Sequence, residues 1–414
     1  MPLEHVSKIV PTFESDLKSG RHKHDHEIEV LWTGDEPDQN STFAVLRVPP
    51  KKVSRVKRSP HRFMIRNFQS WIDKRIKYAT SGSHHRQGEA SSAVFSSLVP
   101  NFRLDKYHPL DQVYQYLETV SRDDDRVTLF DVGTSHEGRK IKGLEIVGDT
   151  TDNTLTWIDG CTHAREWVTV STALYIIEQA IISRIKVNFV IVPIINPDGY
   201  VYTWTKDRLW RKNRRPARSD VAMTFPLNEA CTGVDLNRNY DINFGGTGSS
   251  PNSCSHLYQG PEALSEPETR SVANLLWTIR RQTRMFISLH SFNQLWASPF
   301  AFTSTKSKDH DLHMSVLRAI QEAVYKTNGV LYKIGPLGTS LYLGSGFAMD
   351  WAYYNAKITH SYLVELRDKG YHGFLLPEDQ IIPTAMETWE GIKAGMLRVY
   401  SEEFNVEPSD PLRS

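Results

Sequence analysis

Hydrophobic and polar positions divide the chain into two regimes. From about residue 127 onward, short apolar runs alternate with longer amphipathic stretches. Residues 129–132 and 141–147 read as strands, and residues 168–185 as a long amphipathic helix. Residues 187–195 read as a buried strand that stops at Asn196, Pro197, Asp198 and Gly199. Ser265 and Glu268 have the spacing of a capping box, which would open a helix over 266–282. Such alternation predicts an α/β fold, a three-layer α/β/α sandwich around a mixed, mainly parallel sheet. No internal repeat accompanies it.

The first hundred residues are patterned differently. Their only clear strand covers residues 42–48; a helix is expected near Val53, and residues 64–76 suggest a strand running into another helix. Residues 74–87 have no apolar period and include TSGSHHRQG, so they read as a basic, polar connector open to proteolytic nicking.

Three of the apolar runs end on side chains that can do chemistry. The run beginning at Leu155 leads into His163 and Glu166, three residues apart, and residues 285–289 lead into His290, followed by the small Ser291. A third run, in SYLVEL, reaches Glu365. Catalytic zinc commonly takes three protein ligands and leaves a fourth position for water, which suits His163, Glu166 and His290. Ligands at the carboxyl ends of strands also sit where open α/β sheets bind their substrates. A lone histidine among the chain's 16 is better read as a surface or core residue. Two at strand ends, one paired with Glu166, make that reading the weaker.

Composition adds bounds rather than chemistry. A chain of 414 residues, 39% hydrophobic, exceeds what one core usually serves, so two domains are expected, at 1–95 and 96–414. No segment approaches a membrane span. The net charge of +1 conceals an asymmetry: residues 1–100 carry 16 basic and 11 acidic groups (+5), and the remainder 33 and 37 (−4). Two pieces of opposite sign could dock on each other. The basic run Lys206, Arg208, Arg211, Lys212, Arg214 and Arg215 reads by itself as a solvated face, and no nucleic-acid partner is expected.

THAREWV, with His290 following Glu166 by 124 residues, resembles the pancreatic-type metallocarboxypeptidases, the carboxypeptidase A/B family. The resemblance covers roughly residues 107–400, and the histidine, glutamate, histidine zinc site of carboxypeptidase A is established knowledge. It implies one zinc ion on His163, Glu166 and His290, with Glu365 as general base and Arg211 as the cation facing the oxyanion. Asn237 and Arg238 match binders of the substrate's terminal carboxylate, Tyr342 a mobile tyrosine that closes over the same end, Arg165 a further substrate-contacting arginine, and Arg208 a subsite residue. Asp235 would orient His163 by a hydrogen bond.

The family position that carries an acid in enzymes cutting after Lys or Arg corresponds to Met349, so apolar C-terminal residues are expected. Phe347 stands where a glycine is usual and would shorten the pocket, favouring aliphatic over large aromatic residues. One residue more than the usual pattern lies between Asp350 and Glu365, expected in a turn near Asn355; a shifted strand register there would point Glu365 away.

The resemblance also implies a Cys231–Cys254 disulfide, stabilising by about 3 kcal/mol in the chain-entropy model, and hence an oxidising compartment. The acceptor triplet Asn40, Ser41, Thr42 agrees with that compartment, and Cys161 is expected buried and reduced. No apolar leader is visible in the first 40 residues, so the expectation is of a secreted protein whose leader is missing from this sequence or whose start is misread. The N-terminal piece resembles an activation prodomain, a small α+β unit inhibiting the cleft until a protease cuts the connector. The implied function is a monomeric zinc exopeptidase acting on peptide and protein C-termini. A catalytically inactive peptide-binding relative is the competing class, and retention of Glu365 weighs against it. Relatives that cut acidic tails or special amides fit less well.

Overall fold

The computed structural model describes residues 29–35, 42–48, 53–56, 65, 70, 72–73, 97–217 and 231–401. Ten strands lie among them: β1 (Glu29–Asp35), β2 (Thr42–Arg47), β3 (Val127–Thr134), β4 (Lys140–Ile146), β5 (Leu155–Asp159), β6 (Asn188–Val192), β7 (Thr283–Ser291), β8 (Leu295–Ser298), β9 (Lys333–Pro336) and β10 (His360–Leu366). The helices are α1 (Val53–Val56), α2 (Leu110–Asp123), α3 (Trp167–Ser183), α4 (Pro197–Thr205), α5 (Pro267–Ile279), α6 (His310–Asn328), α7 (Leu337–Ser340), α8 (Ala348–Tyr354) and α9 (Ile381–Ser401).

Eight strands form one sheet in the order β3-β4-β6-β5-β7-β10-β8-β9. Its centre, β6, β5, β7 and β10, is parallel, while β3 and β4 add antiparallel pairing at one edge and β8 runs antiparallel to β10 at the other. Strands buried on both faces are required of such a centre, and every residue of β5 is buried. Alternation along each strand separates two cores. Ile158, Ile287, Leu289 and Val364 face a core that includes residues of α2, α3, α6 and α9. Trp157, Phe286 and Leu363 face the other, with Val272 and Leu276 of α5 and Met349 and Trp351 of α8. The mixed three-layer α/β sandwich is therefore as expected.

Two local expectations fail. The N-terminal piece holds a second strand: β1 pairs antiparallel with β2, although EVLWTGD carries no clean alternation to mark it. The capping box does not form either. Glu266, not Ser265, stands at the N-cap of α5, and no side chain caps the helix. Pro267 at the first position presets the helical φ, and Ser265 Oγ donates to Glu266 Oε1 at 2.8 Å. Glu268 is drawn instead to the buried amide of Asn213 (3.1 Å) and the His136 N–H (2.9 Å). Most of the element expected over residues 64–76, the connector and the expected boundary at residue 95 lie outside the described residues.

Among the described residues, the N-terminal piece touches the larger unit beside the loop that follows α4. Val45 and Ile65 pack against a cluster of Leu209, Phe292, Phe374 and Leu375, and Arg47 Nη1 lies 3.3 Å from Asp207 Oδ1. Among the described residues no helix is long and apolar enough to cross a membrane.

Candidate active site and metal centre

Strand β5 ends at Asp159, and the chain turns sharply through Gly160 and Cys161. Cys161 has φ 52°, a left-handed conformation, held because its N–H donates to Thr169 Oγ1 (3.0 Å) and its carbonyl accepts from Asn196 N (3.2 Å). That turn carries His163 over the sheet edge and lets Glu166 start α3. His290 arrives from the adjacent β7.

The three side chains converge. His163 Nδ1 lies 2.8 Å from Glu166 Oε1, His290 Nδ1 lies 3.1 Å from Glu166 Oε2, and the two Nδ1 atoms are 3.2 Å apart. Three ligand atoms on a tetrahedral zinc with bonds of about 2.0–2.1 Å stand roughly 3.3 Å from one another, so the set fits the ion. All three residues are buried, and their ligand atoms lie within 4.8 Å of one another. Burial works to raise the Glu166 carboxyl, and the two imidazoles overcome it and hold the group well below the usual carboxylate range. Burial lowers His290, which keeps its ring neutral and able to bind a metal.

The far nitrogens of both rings are engaged. His163 Nε2 lies 3.1 Å from Asp235 Oδ1, and the other oxygen of Asp235 accepts from Arg211 Nε (3.1 Å) and Nη2 (2.8 Å). Asp235 is fully buried; burial opposes its charge, and Arg211, Arg238 and His163 together hold the carboxyl well below its ordinary value. One carboxylate thus ties a metal ligand to the arginine beside it. His290 Nε2 lies 3.2 Å from Ser288 Oγ, which donates to Asp159 Oδ1 at 2.6 Å. Burial pushes the Asp159 carboxyl up to about 6.

Glu365 pairs in parallel register with His290, so both side chains leave the same face of the sheet. Glu365 therefore does not point away from His290. Residues 355–359 form the turn between α8 and β10, with Lys357 at φ 62° and Asn355 Nδ2 donating to Asp241 O at 3.0 Å. Burial and the nearby Glu166 charge raise the Glu365 carboxyl well above the usual range, against the pull of Arg211 and Arg238.

Comparison with known proteins agrees with this geometry. Residues 113–391 match the family model described as zinc carboxypeptidase. The chain belongs to the zinc carboxypeptidase family. It is 38% identical over 296 residues to carboxypeptidase B of Astacus astacus, covering 69% of this chain and 95% of that protein. It is also 38% identical over 310 residues to carboxypeptidase A2 of Mus musculus, covering 72% of each. The crystal structure of carboxypeptidase A from Helicoverpa armigera superposes with a TM-score of 0.73 at 27% identity, covering 97% of this chain and 96% of that one. The protein is a metallocarboxypeptidase, a zinc hydrolase, and His163, Glu166 and His290 are placed to hold its ion.

Of the remaining expected residues, Asn237 touches the centre directly, its Nδ2 3.3 Å from His290 Nε2. Asn237 and Arg238 lie on a 3-10 turn (Leu236–Arg238) capped by Asp235, whose Oδ1 accepts from Asn237 N at 3.1 Å. Arg238 gives Nε to Gly248 O (2.7 Å) and Nη1 to Asn237 O (2.8 Å), and its guanidinium lies 4.4 Å from the Phe347 ring and 5.9 Å from that of Tyr342. Gly346 (φ 76°) backs the same residue, since a Cβ there would meet Arg238 O at 2.2 Å. Tyr342 is 44% exposed. Met349 of α8 and Phe347 at its N-cap are buried in the core, and a Cβ on Gly344 would lie 2.5 Å from Phe347 Cε2. Gly344 therefore leaves the space that the ring takes.

Arg165 stacks on Phe374 at 4.0 Å. Arg208 is buried, lies 3.6 Å over Trp167, and gives Nη1 to Arg165 O (2.8 Å) and Nη2 to Phe374 O (2.6 Å). Its geometry is that of a brace between two loops. Cys231 and Cys254 form a disulfide, and Cys161 is a buried free thiol. Asp159, Ser288 and Phe374 escaped the sequence reading. For the first two the signal was there: polar residues at alternate positions of strands that are otherwise apolar.

Proposed function

We infer that this carboxypeptidase removes apolar, preferentially aliphatic, C-terminal residues and is held as a zymogen by its N-terminal piece. The observation that carries the reading is Glu365 standing in register beside His290 with Arg211 anchored next to it through Asp235. His163, Glu166 and His290 would hold the zinc, which when bound would acidify a water and polarise the scissile carbonyl. Glu365 accepts the proton of the attacking water and returns it to the departing amine. Arg211, its Nε and Nη2 fixed by Asp235, stabilises the oxyanion as charge develops. Arg238, Asn237 and Tyr342 bind the free carboxylate, with Arg165 a further substrate contact, which confines cleavage to the last bond.

Relatives named carboxypeptidase B and carboxypeptidase A2 are equally identical to this chain, so preference has to be read from the pocket. Met349 offers no charge. The neighbouring Asp350 carboxylate is committed to the backbone N–H groups of Ala301 (2.8 Å) and Phe302 (3.3 Å), leaving a basic side chain unpaired at a cost of several kcal/mol. The Phe347 ring fills depth that a large aromatic residue would need.

Contacts of Val45, Ile65 and Arg47 with residues flanking Arg208 and with Phe374 beneath Arg165 support a prodomain lying over the cleft rim. The Cys231–Cys254 disulfide supports a secreted protein. Limited proteolysis of the full chain, followed by profiling of residues released from a mixed peptide library, tests the reading. Leu and Val should be released, and only after the connector is cut. Comparable kcat/KM for C-terminal Arg and Leu refutes the apolar pocket, and full activity of the uncut chain refutes the zymogen.

A further inference from the structure

One face of the central strands changes character along its length. On β5 it carries Trp157 and then Asp159; on β7, in parallel register with these, Phe286 and Ser288, followed by His290; on β10, Leu363 and Glu365 beside Ser288 and His290. The side-chain period of two keeps all of them on one side. Apolar packing at the base thus gives way to a polar layer and then to the catalytic rim. A carboxylate 2% exposed and a serine 1% exposed, above Trp157 and Phe286, are expensive to bury unless they are joined to something.

They are joined in series. Trp157 Nε1 donates to Asp159 Oδ2 at 2.8 Å, Ser288 Oγ donates its single proton to Asp159 Oδ1 at 2.6 Å, and that leaves a lone pair of Ser288 facing His290 Nε2 at 3.2 Å. The other neighbour of Nε2, Asn237 Nδ2 at 3.3 Å, is itself a donor, and Asn237 Oδ1 accepts from Ala348 N at 2.9 Å. Only Ser288 can accept a proton from Nε2 among these partners. We propose that Asp159 and Ser288 are positioning residues that hold His290 in the Nε2–H tautomer, turning the Nδ1 lone pair toward Glu166 and His163 and the metal they bind. His163 receives the same service directly from Asp235; His290 receives it through one hydroxyl. Outer partners of this kind set ligand orientation and basicity, and their loss commonly weakens metal binding about 10- to 100-fold.

The test is a double-mutant cycle on zinc affinity, measured in the full chain by competition with a chromophoric chelator. Circular dichroism verifies that each variant is folded. Ser288→Ala should raise the zinc Kd by about 10- to 100-fold, and Asp159→Asn should raise it in the same direction. Because the carboxylate reaches the imidazole only through the hydroxyl, the double variant should bind no more weakly than Ser288→Ala. A Kd within twofold of wild type in Ser288→Ala overturns the proposal, as do losses that multiply in the double variant. If Ser288→Ala does not fold, Asp159→Asn decides alone: an unchanged zinc Kd overturns the proposal.

Discussion

Asp235→Ala is the substitution that removes most from this site while touching neither metal nor substrate. The carboxylate accepts from Arg211 Nε and Nη2, His163 Nε2 and Asn237 N, at 2.8–3.1 Å, with no exposure to solvent. Removing one partner of a buried ion pair leaves the other charge uncompensated, which costs about 3–5 kcal/mol of folding stability. Loss of the hydrogen bond to a ligand histidine should weaken zinc binding about 10- to 100-fold. Release of Arg211 should lower kcat by roughly 10²- to 10³-fold, the usual effect of losing one oxyanion donor. KM should rise as well, because Asp235 Oδ1 also caps the turn that carries Asn237 and Arg238 of the carboxylate clamp. Urea unfolding of the metal-free protein, chelator competition and initial rates with the ion saturating separate the three effects. Asp235→Asn, which keeps the shape and removes the charge, should be less unstable but still lose Arg211. Wild-type zinc affinity and wild-type kcat in Asp235→Ala would refute the argument that one carboxylate orders both groups.

Two further outcomes follow from buried groups away from the ion. Phe347→Gly should raise kcat/KM for C-terminal Phe relative to Leu, and Gly344→Ala should be damaging with Phe347 present but tolerated in the Phe347→Gly background; an unchanged Phe/Leu ratio removes the ring from the specificity pocket. Glu268 is fully buried, and burial raises its carboxyl from 4.5 to about 7. A raised folded value means that the native state holds the extra proton, so this group's stabilisation is complete below about pH 4.5 and declines as pH rises to 7, by about 3 kcal/mol. Glu268→Gln should flatten that part of the stability–pH curve measured by urea unfolding, and an unaltered slope would contradict the assignment.

Much of the site was legible because strand ends announce themselves: an apolar run that stops on His290, or on Glu365, needs no tertiary information to be noticed. What could not be read was which polar neighbours these residues meet. Arg208 sits in a basic run that looks solvated, and only the arrangement of Trp167, Arg165 O and Phe374 O around it makes it internal. The Ser265 and Glu268 spacing fits a cap equally well, but Asn213, more than 50 residues earlier, competes for Glu268 and wins. The side of the sheet on which Glu365 falls is a register question that pattern alone leaves open, and the pairing of β10 with β7 sets it beside His290. Asp159 and Ser288 were visible as polar interruptions of buried strands, but their meaning depends on the cross-strand register that sets them side by side.

Zinc on His163, Glu166 and His290 is what single-residue C-terminal hydrolysis depends on in this site. That dependence is tested most directly by incubating the connector-cut protein with a peptide of free C terminus, before chelation, after chelation, and after zinc is restored. Stepwise release of single C-terminal residues is expected, abolished by chelation and recovered on restoring zinc in the wild type but not in His290→Ala. Release that persists without metal, or cleavage at internal bonds, would contradict it.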